Sequence, residues 1–324
     1  MSRLSTLIAL FSTAASTAAS TCTPFFNVDL SFPTTVYTPT FSPFEDQSDA
    51  IEFLHNTTRR TADFIPYTSP TNITLNTTIA AKYCNPSDQP NGIVQILTHG
   101  GGFDHRYWEF GGSESDNNQV RAATAAGYGV LVYDRLGASR SSHPDPYTIV
   151  QIPVQVDVLA QLTIRLRDGT LAPHIHLPQP RKIVHVGHSI GSGITSGFIA
   201  RYPHLSDGVV LTGWSTVGNY TIQFPVATGL RIAKFVDSRK WGGSSTGYWT
   251  WIDAVVNEFL FFAEGFFTPE ALAEAERTKV PSTIGELGTG VMESPAVFEG
   301  PLLVCSCLMN SLYLFHQYFG RPGC

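Results

Sequence analysis

Five continuous apolar runs, which end at glycines or turn residues, constrain the fold of this 324-residue chain more than any other feature. Runs of this kind fit strands that are buried on both faces, as in a parallel sheet. They lie at 92–98, 129–133, 182–186, 208–212 and 301–304. Helical patterns separate them at 119–126, 154–167 and 192–201. Because strands and helices alternate, we expect an α/β fold whose parallel strands are joined by right-handed crossovers.

The segments outside this alternation predict the domain organisation. Residues 21–70 are rich in Pro, Ser and Thr, which indicates an arm along the surface, whereas 72–83 alternate apolar and polar residues like a half-buried strand. Residues 214–299 are rich in aromatic side chains that either form a core of their own or cover an apolar pocket. We therefore expect three parts, which are a core at 21–213, a helical cap insertion at 214–299, and one core strand with an atypical tail at 300–324.

The N-terminus and four glycosylation patterns predict export. Arg3 is followed by a short apolar stretch and then by small residues up to Ser20, which is the order of parts in a signal peptide at 1–20. The apolar stretch is too short to span a membrane. The Asn-x-Ser/Thr pattern occurs at four candidate glycosylation sites, Asn56, Asn72, Asn76 and Asn219. We therefore expect a secreted glycoprotein.

Charge and cysteine content argue against several kinds of partner. The formal net charge of −6, without basic runs, argues against nucleic acid and against stable association with an anionic membrane. Cys22 and Cys84 could tie the N-terminal arm to the domain in an oxidising compartment, although spacing alone does not fix the pairing. Cys305 and Cys307 lack metal-ligand spacing, and nothing in the sequence suggests a nucleotide, flavin or metal cofactor.

The pentapeptide Gly187-His188-Ser189-Ile190-Gly191 fits G-x-S-x-G and directly follows the third predicted core strand. A helical pattern follows it, so the serine lies in the strand–turn–helix context of a nucleophile elbow. The two glycines allow the close packing that lifts the Ser189 hydroxyl above the sheet. The helix N-terminus supplies amide N–H groups, including that of Ile190, to a developing oxyanion. The sequence therefore predicts that Ser189 is a nucleophile.

A second glycine-rich motif, His99-Gly100-Gly101-Gly102-Phe103, follows the first predicted core strand. Acyl transfer needs two N–H donors at the oxyanion, and the elbow offers only one. Glycine lets the backbone approach a substrate carbonyl closely, so we predict that Gly101 supplies the second donor. We interpret His99 as a structural histidine that bonds to neighbouring backbone.

Together these motifs resemble the α/β-hydrolase superfamily, specifically its secreted, esterase- or lipase-like AB-hydrolase-1 branch. The resemblance rests on 99–103, on Tyr133-Asp134-Arg135-Leu136-Gly137 after the next strand, and on 187–191, in family order. It implies a mostly parallel sheet with helices on both faces, a cap insertion, and a structural role for the Asp134-Arg135 turn. Related dehalogenases and epoxide hydrolases carry Asp at the elbow, so the serine implies attack on an ester carbonyl through an acyl-enzyme.

The triad that would activate Ser189 is incomplete in this sequence. The superfamily order is nucleophile, acid, histidine, and only His204 and His316 follow the elbow. His204 is expected on the surface beyond the elbow helix, and no Asp or Glu follows Glu299. The acid and the base are therefore not identified, and His316 is the candidate base that the tail offers. We interpret the chain as truncated or mis-joined after Val304, with strands of the sheet missing; a genuine ending and a membrane tail are the alternatives.

The sequence thus predicts a secreted serine carboxylesterase that acts on apolar or aromatic esters beneath the cap. Its expected partner is a small apolar ester, and the incomplete triad would weaken or abolish its activity. The alternative is a noncatalytic secreted binding protein that keeps the hydrolase fold and its pocket. The sequence does not indicate an oligomeric state.

Overall fold

The computed structural model describes residues 21–58, 64–86, 89–173, 177–215, 224–290 and 297–305. Ten strands lie in these residues, in chain order β1 (Phe26–Pro39), β2 (Tyr67–Cys84), β3 (Ile93–Thr98), β4 (Gly129–Tyr133), β5 (Lys182–His188), β6 (Gly208–Thr212), β7 (Leu230–Ile232), β8 (Tyr248–Trp251), β9 (Ser282–Thr283) and β10 (Leu302–Cys305). Strands β7, β8 and β9 form a small separate sheet, and the other seven form the main sheet.

The main sheet is mostly parallel, in the spatial order β1-β2-β4-β3-β5-β6-β10. Strands β4, β3, β5, β6 and β10 run parallel to one another. Strand β2 is antiparallel to β4, and β1 is antiparallel to β2 at the sheet edge. The carboxyl ends of the parallel strands therefore meet at one edge of the sheet, where ligands of open α/β sheets bind. The predicted α/β class with a mostly parallel sheet is confirmed.

Helices cover both faces of this sheet. Residues 130–133 of β4 show this, because adjacent residues of a strand point to opposite faces. Leu131 and Tyr133 belong to one apolar cluster, and Val130 and Val132 belong to another. The first cluster includes residues of α3 (Ile152–Asp168) and α4 (Ile190–Arg201), and the second includes residues of α2 (Gln119–Ala125). Helix α1 (Gln47–Thr58) belongs instead to a cluster with residues of β7 and β8.

The N-terminal arm differs from the prediction, because its first part is a strand of the sheet. In β1 the buried side chains of Val28, Leu30 and Phe32 alternate with exposed ones, and the strand pairs with β2 over its whole length. A strand at the sheet edge tolerates Pro33, which obscures the alternation in the sequence. The Cys22–Cys84 disulfide joins the residues before β1 to the end of β2, so this staple is present as the sequence suggested.

The cap also differs from the expected helical insertion, because its described part is mixed. The antiparallel strands β7, β8 and β9 lie among six short helices, α5 (Phe224–Ala227), α6 (Ala233–Val236), α7 (Ser238–Trp241), α8 (Ala254–Phe261), α9 (Pro269–Thr278) and α10 (Ile284–Gly288). Trp249 and Trp251 on β8 are buried in an aromatic cluster with residues of α1. Strands of two to four residues are too short for their periodicity to identify them in a sequence.

Several predictions fall outside the described residues. The signal peptide at 1–20 and the tail after Cys305, with His316, belong to this group. In the part of the chain that the structure describes, no helix is both long enough and apolar enough to cross a membrane.

Candidate active site

Ser189 occupies a tight turn between the end of β5 and the start of α4. Its backbone has φ 52° and ψ −120°, a left-handed conformation that costs a residue with a side chain about 1–3 kcal/mol. A Cβ on Gly187 would lie 2.5 Å from the carbonyl oxygen of Gly191, and a Cβ on Gly191 would overlap the carbonyl oxygen of Thr98. Glycine at 187 therefore permits the tight turn from β5 into α4, and glycine at 191 lets the start of α4 lie against the end of β3. The structure has the elbow geometry that the sequence predicts.

The elbow serine lines a pocket between the core and the cap. Gly101, Gly102 and Ile190 line it from the core, and the cap contributes Thr228, Leu230, Trp249, Trp251, Leu260, Phe261, Ser282 and Leu287. No charged side chain of the described residues lines this pocket. Its cavity volume is about 20 Å³, which is room for about one water molecule. The pocket is thus apolar, narrow and closed by the cap.

The glycine-rich loop after β3 lies against the elbow. A Cβ on Gly100 would lie 3.3 Å from the Cβ of Ser189, and a Cβ on Gly101 would lie 2.7 Å from the Cδ1 of Ile190. The carbonyl oxygen of Gly100 lies 2.9 Å from the Nδ1 of His99 and accepts from the guanidinium of Arg135. In a trans peptide the N–H points opposite to the C=O, so the Gly101 N–H points away from these two side chains. This orientation fits the predicted role of Gly101 as an oxyanion donor.

His99 is a fully buried structural residue, as interpreted from the sequence. Its Nε2 accepts a hydrogen bond from the backbone N–H of Arg135 at 3.0 Å, so the proton of the neutral ring lies on Nδ1 and donates to Gly100. Burial, assisted by the positive charge of Arg135, lowers the pKa of His99 to about 3. The ring is therefore neutral at physiological pH and fixes the direction of the Gly100 carbonyl.

Arg135 connects the glycine-rich loop to the cap. Its guanidinium forms an ion pair with Glu286 of α10, and both side chains are almost fully buried. Glu286 also accepts from the side-chain amide of Gln155 at 2.8 Å and closes a capping box with Thr283 at the start of α10. One buried carboxylate thus holds the cap helix, the core helix α3 and the arginine that binds Gly100.

Asp104, His105 and Asp134 form a buried cluster of groups that are able to ligate a metal, with their ligand atoms within 4.8 Å of one another. Asp134 accepts from the Nδ1 of His105 at 2.7 Å and from the backbone N–H of Arg140 at 3.2 Å. Asp104 accepts from the guanidinium of Arg106 at 2.6 Å. Both carboxylates are therefore engaged by protein donors, and the cluster anchors the loop after β3 to the end of β4. This matches the structural role that the resemblance implies for Asp134.

The structure does not bring a general base to Ser189 within its described residues. His188 stacks on Tyr107 with ring centroids 4.4 Å apart, its Nδ1 lies 3.0 Å from the hydroxyl of Thr212, and burial lowers its pKa to about 4. His204 is exposed in a short 3₁₀ turn after α4, as expected. Among the described residues, no histidine or carboxylate is hydrogen-bonded to the Ser189 hydroxyl. The acid and the base of a triad are thus still unassigned.

Two residues of this region, Ser282 and Glu286, are not predicted from the sequence. Ser282 bonds to Gly102 across 180 residues and lies in no motif, so no local signal identifies it. The Thr283-x-x-Glu286 spacing matches a capping box, which marks a helix start. That pattern gives no sign of the ion pair between Glu286 and Arg135.

The family model described as "Alpha/beta hydrolase family" matches residues 95–311, more than half of the chain. Similar solved structures include a probable hydrolytic enzyme from Pseudomonas aeruginosa (16% identity, 72% of this chain and 69% of that one, TM-score 0.44). A Mycobacterium tuberculosis protein is 18% identical over 74% of this chain and 77% of that one, with a TM-score of 0.44. A highly thermostable carboxyl esterase from Bacillus coagulans is 15% identical over 71% of this chain and 85% of that one, with a TM-score of 0.41. No curated protein matches this sequence. On the family model, which spans the glycine-rich loop and the elbow, the chain belongs to the alpha/beta hydrolase family.

Proposed function

We propose that this chain is a secreted serine carboxylesterase that hydrolyses small apolar or aromatic esters beneath its cap. The observation that carries the proposal is the elbow geometry of Ser189 in a pocket lined by Gly101 and Ile190. Strained backbone at a pocket-lining serine is typical of an activated nucleophile. Membership of the alpha/beta hydrolase family supports hydrolysis as the general reaction.

The proposed reaction proceeds in two steps at Ser189. The Oγ attacks the ester carbonyl and its proton passes to a base, while the developing oxyanion accepts hydrogen bonds from the N–H groups of Ile190 and Gly101. The carbon–oxygen bond of the ester then breaks, the alcohol leaves with a proton, and an acyl-enzyme is formed. Water attacks the acyl-enzyme and releases the carboxylic acid together with free Ser189.

The lining of the pocket supports an apolar substrate. Trp249, Trp251, Leu260 and Phe261 are among the cap residues that line it, so an uncharged apolar acyl or aromatic group loses little on leaving water. The present cavity has room for about one water molecule. Admission of even a short ester therefore requires the cap to move away from the core.

Export is supported by three features of the described residues. Asn72 and Asn76 are exposed on β2, and the Cys22–Cys84 disulfide suits an oxidising compartment. Asn56 lies partly buried in the last turn of α1, and Asn219 lies outside the described residues. Expression in a eukaryotic secretory host tests this part: the protein should reach the medium and shift on a gel after N-glycosidase treatment. An intracellular, unglycosylated product would contradict it.

Hydrolysis of p-nitrophenyl acetate and p-nitrophenyl butyrate tests the activity, with Ser189→Ala as the control. We expect turnover by the wild-type protein to fall to the background rate in the variant. Equal rates for the two proteins would contradict the proposal. Thermal stabilisation by an ester analogue that survives Ser189→Ala would then indicate the noncatalytic binding protein.

A further inference from the structure

Gly102, in the loop that carries the oxyanion donor, is held by the cap from three directions. Its N–H donates to the Oγ of Ser282 on β9 at 3.0 Å, and its carbonyl accepts from the N–H of Val280 at 2.9 Å. Its φ is +81°, and a Cβ at this position would overlap the indole ring of Trp251 on β8. Both backbone polar groups of Gly102 are thus bonded to one short segment of the cap.

The hydrogen bond from Gly102 controls one of the two peptides that flank Gly101. The core fixes the preceding peptide, because His99 and Arg135 bind the carbonyl oxygen of Gly100. The following peptide, between Gly101 and Gly102, has its N–H fixed by Ser282. Since glycine rotates freely about both backbone bonds, Gly101 is held in one conformation only when both peptides are fixed.

We propose that Ser282 is a positioning residue that anchors the Gly101–Gly102 peptide to the cap, so that the loop carrying the oxyanion donor is held from the cap as well as from the core. Ser282 is buried, and its Oγ would lie 3.0 Å from a Cβ on Gly101. This inference rests on the proposed function and adds to it a cap residue that acts through the loop rather than on the ester itself.

Further contacts join the end of the glycine-rich loop to the cap, so a movement of the cap breaks them or displaces the loop. Arg106, which follows the loop, donates to the carbonyl oxygen of Thr278 at 3.1 Å, and Trp251 is fixed by its indole N–H on Glu276 at 3.0 Å. Movement of the cap to admit an ester separates Ser282 from Gly102, and closure over the ester forms the bond again. The loop that carries the oxyanion donor is therefore anchored from both the core and the cap only in the closed state.

Three variants separate this role from a general effect on the cap. Ser282→Ala removes the acceptor, and Ser282→Thr keeps a hydroxyl at the same position. Thr250→Val is the matched control, because Thr250 is buried on β8 of the same small sheet and its hydroxyl bonds to none of the described residues. Valine has nearly the shape of threonine, so this change removes a cap hydroxyl that forms no hydrogen bond within the described residues.

Amide hydrogen exchange of Gly102, followed by NMR, tests the contact. We expect exchange to be about tenfold faster in Ser282→Ala, since one hydrogen bond is lost. Exchange in Ser282→Thr and Thr250→Val should stay at the wild-type rate. Unchanged exchange in Ser282→Ala, or equally fast exchange in Thr250→Val, would overturn the inference.

Ester kinetics test the consequence for the reaction. A loosened oxyanion donor lowers kcat, by about tenfold in Ser282→Ala, while KM changes little because the donor acts mainly in the transition state. Ser282→Thr should restore kcat. A change in KM alone, or no rescue by threonine, would overturn the inference. If the wild-type protein shows no hydrolysis that depends on Ser189, the proposed function fails by itself, and the exchange of Gly102 still decides whether Ser282 holds the loop.

Discussion

Ser189 has a strained backbone conformation at the wall of the pocket. Three described residues other than glycine have positive φ, namely Ser69, Ser139 and Ser189, and only Ser189 lines the pocket. Its N–H donates to the carbonyl oxygen of Thr212 at 2.9 Å, and its own carbonyl accepts from the N–H groups of Ser192 and Gly193. These bonds from β6 and α4 stabilise a conformation that an isolated serine disfavours.

Buried histidines make the stability of the protein depend on pH, and His99 and His185 have the largest pKa shifts among them. Burial, with smaller contributions from Arg135 and Arg167, lowers the pKa values of His99 and His185 to about 3. In the unfolded chain both rings bind protons near pH 6.5, so below that pH the unfolded state holds more protons than the folded state. The free energy of unfolding should therefore fall as pH drops from about 6.5 toward 4, by about 1.4 kcal/mol per pH unit for each ring.

Denaturant unfolding of His185→Gln between pH 7 and pH 4 checks this prediction. The variant loses two hydrogen bonds, to Thr163 and Ser206, and is expected to be less stable at pH 7. Its free energy of unfolding should fall less steeply with decreasing pH. The difference in slope corresponds to about one bound proton, because glutamine does not titrate. A wild-type decline that the substitution leaves equally steep would refute the assigned role of His185.

The elbow also depends on the close contact between the start of α4 and the end of β3. In Gly191→Ala, the new methyl group would overlap the carbonyl oxygen of Thr98 and lie 2.7 Å from that of His99. Both atoms are backbone, so neither is able to rotate away. We expect a loss of about 3 kcal/mol in the free energy of unfolding, measured by urea titration.

Gly243→Ala is the control for this prediction. A Cβ there meets no atom within 4 Å, and the backbone does not need a positive φ. Its free energy of unfolding should change by less than about 0.5 kcal/mol. Similar losses in the two variants would show that the contact between α4 and the end of β3 is not the source of the effect.

The elements that sequence analysis identified are those with a strong local pattern. Strand β5 and helix α4 are examples, because a continuous apolar run meets a G-x-S-x-G turn and then a helical pattern. Strand β1 was missed, although Val28, Leu30 and Phe32 alternate with polar residues, because Pro33 and the neighbouring threonines suggested a loop. Strand β9 has two residues and no pattern of its own, and its pairing with β8 exists only in the folded cap.

At the scale of the whole molecule, the ion pair between Arg135 and Glu286 joins the core to the cap. Glu286→Gln keeps the shape of the side chain but leaves the buried guanidinium of Arg135 without its counter-charge. The loss of one partner of a buried pair costs about 3–5 kcal/mol, and urea unfolding should show a loss of this size. Asp116→Asn provides the control, since Asp116 is almost fully exposed beside Arg121 and should have little effect. Equal losses in both variants would contradict the role of the ion pair.

The candidate site was predictable where it is local and not where it depends on the tertiary fold. Ser189, Ile190 and Gly101 lie in motifs of five residues, so their proximity follows once the strand order is known. Ser282 and Glu286 reach the same loop from the cap, and their contacts depend on how two layers of the structure pack. A local pattern identifies a candidate nucleophile and its neighbours in the chain, whereas the residues that hold the loop beside it come together only in the folded molecule.

Active-site labelling tests the central claim, that the Ser189 hydroxyl is a nucleophile in the pocket beneath the cap. The purified protein and Ser189→Ala are incubated with a fluorophosphonate probe, and the modified peptide is identified by mass spectrometry. We predict one adduct per wild-type chain, on the peptide that contains Ser189, and none in the variant. A wild-type protein without an adduct, or a variant labelled to the same extent, would contradict the claim.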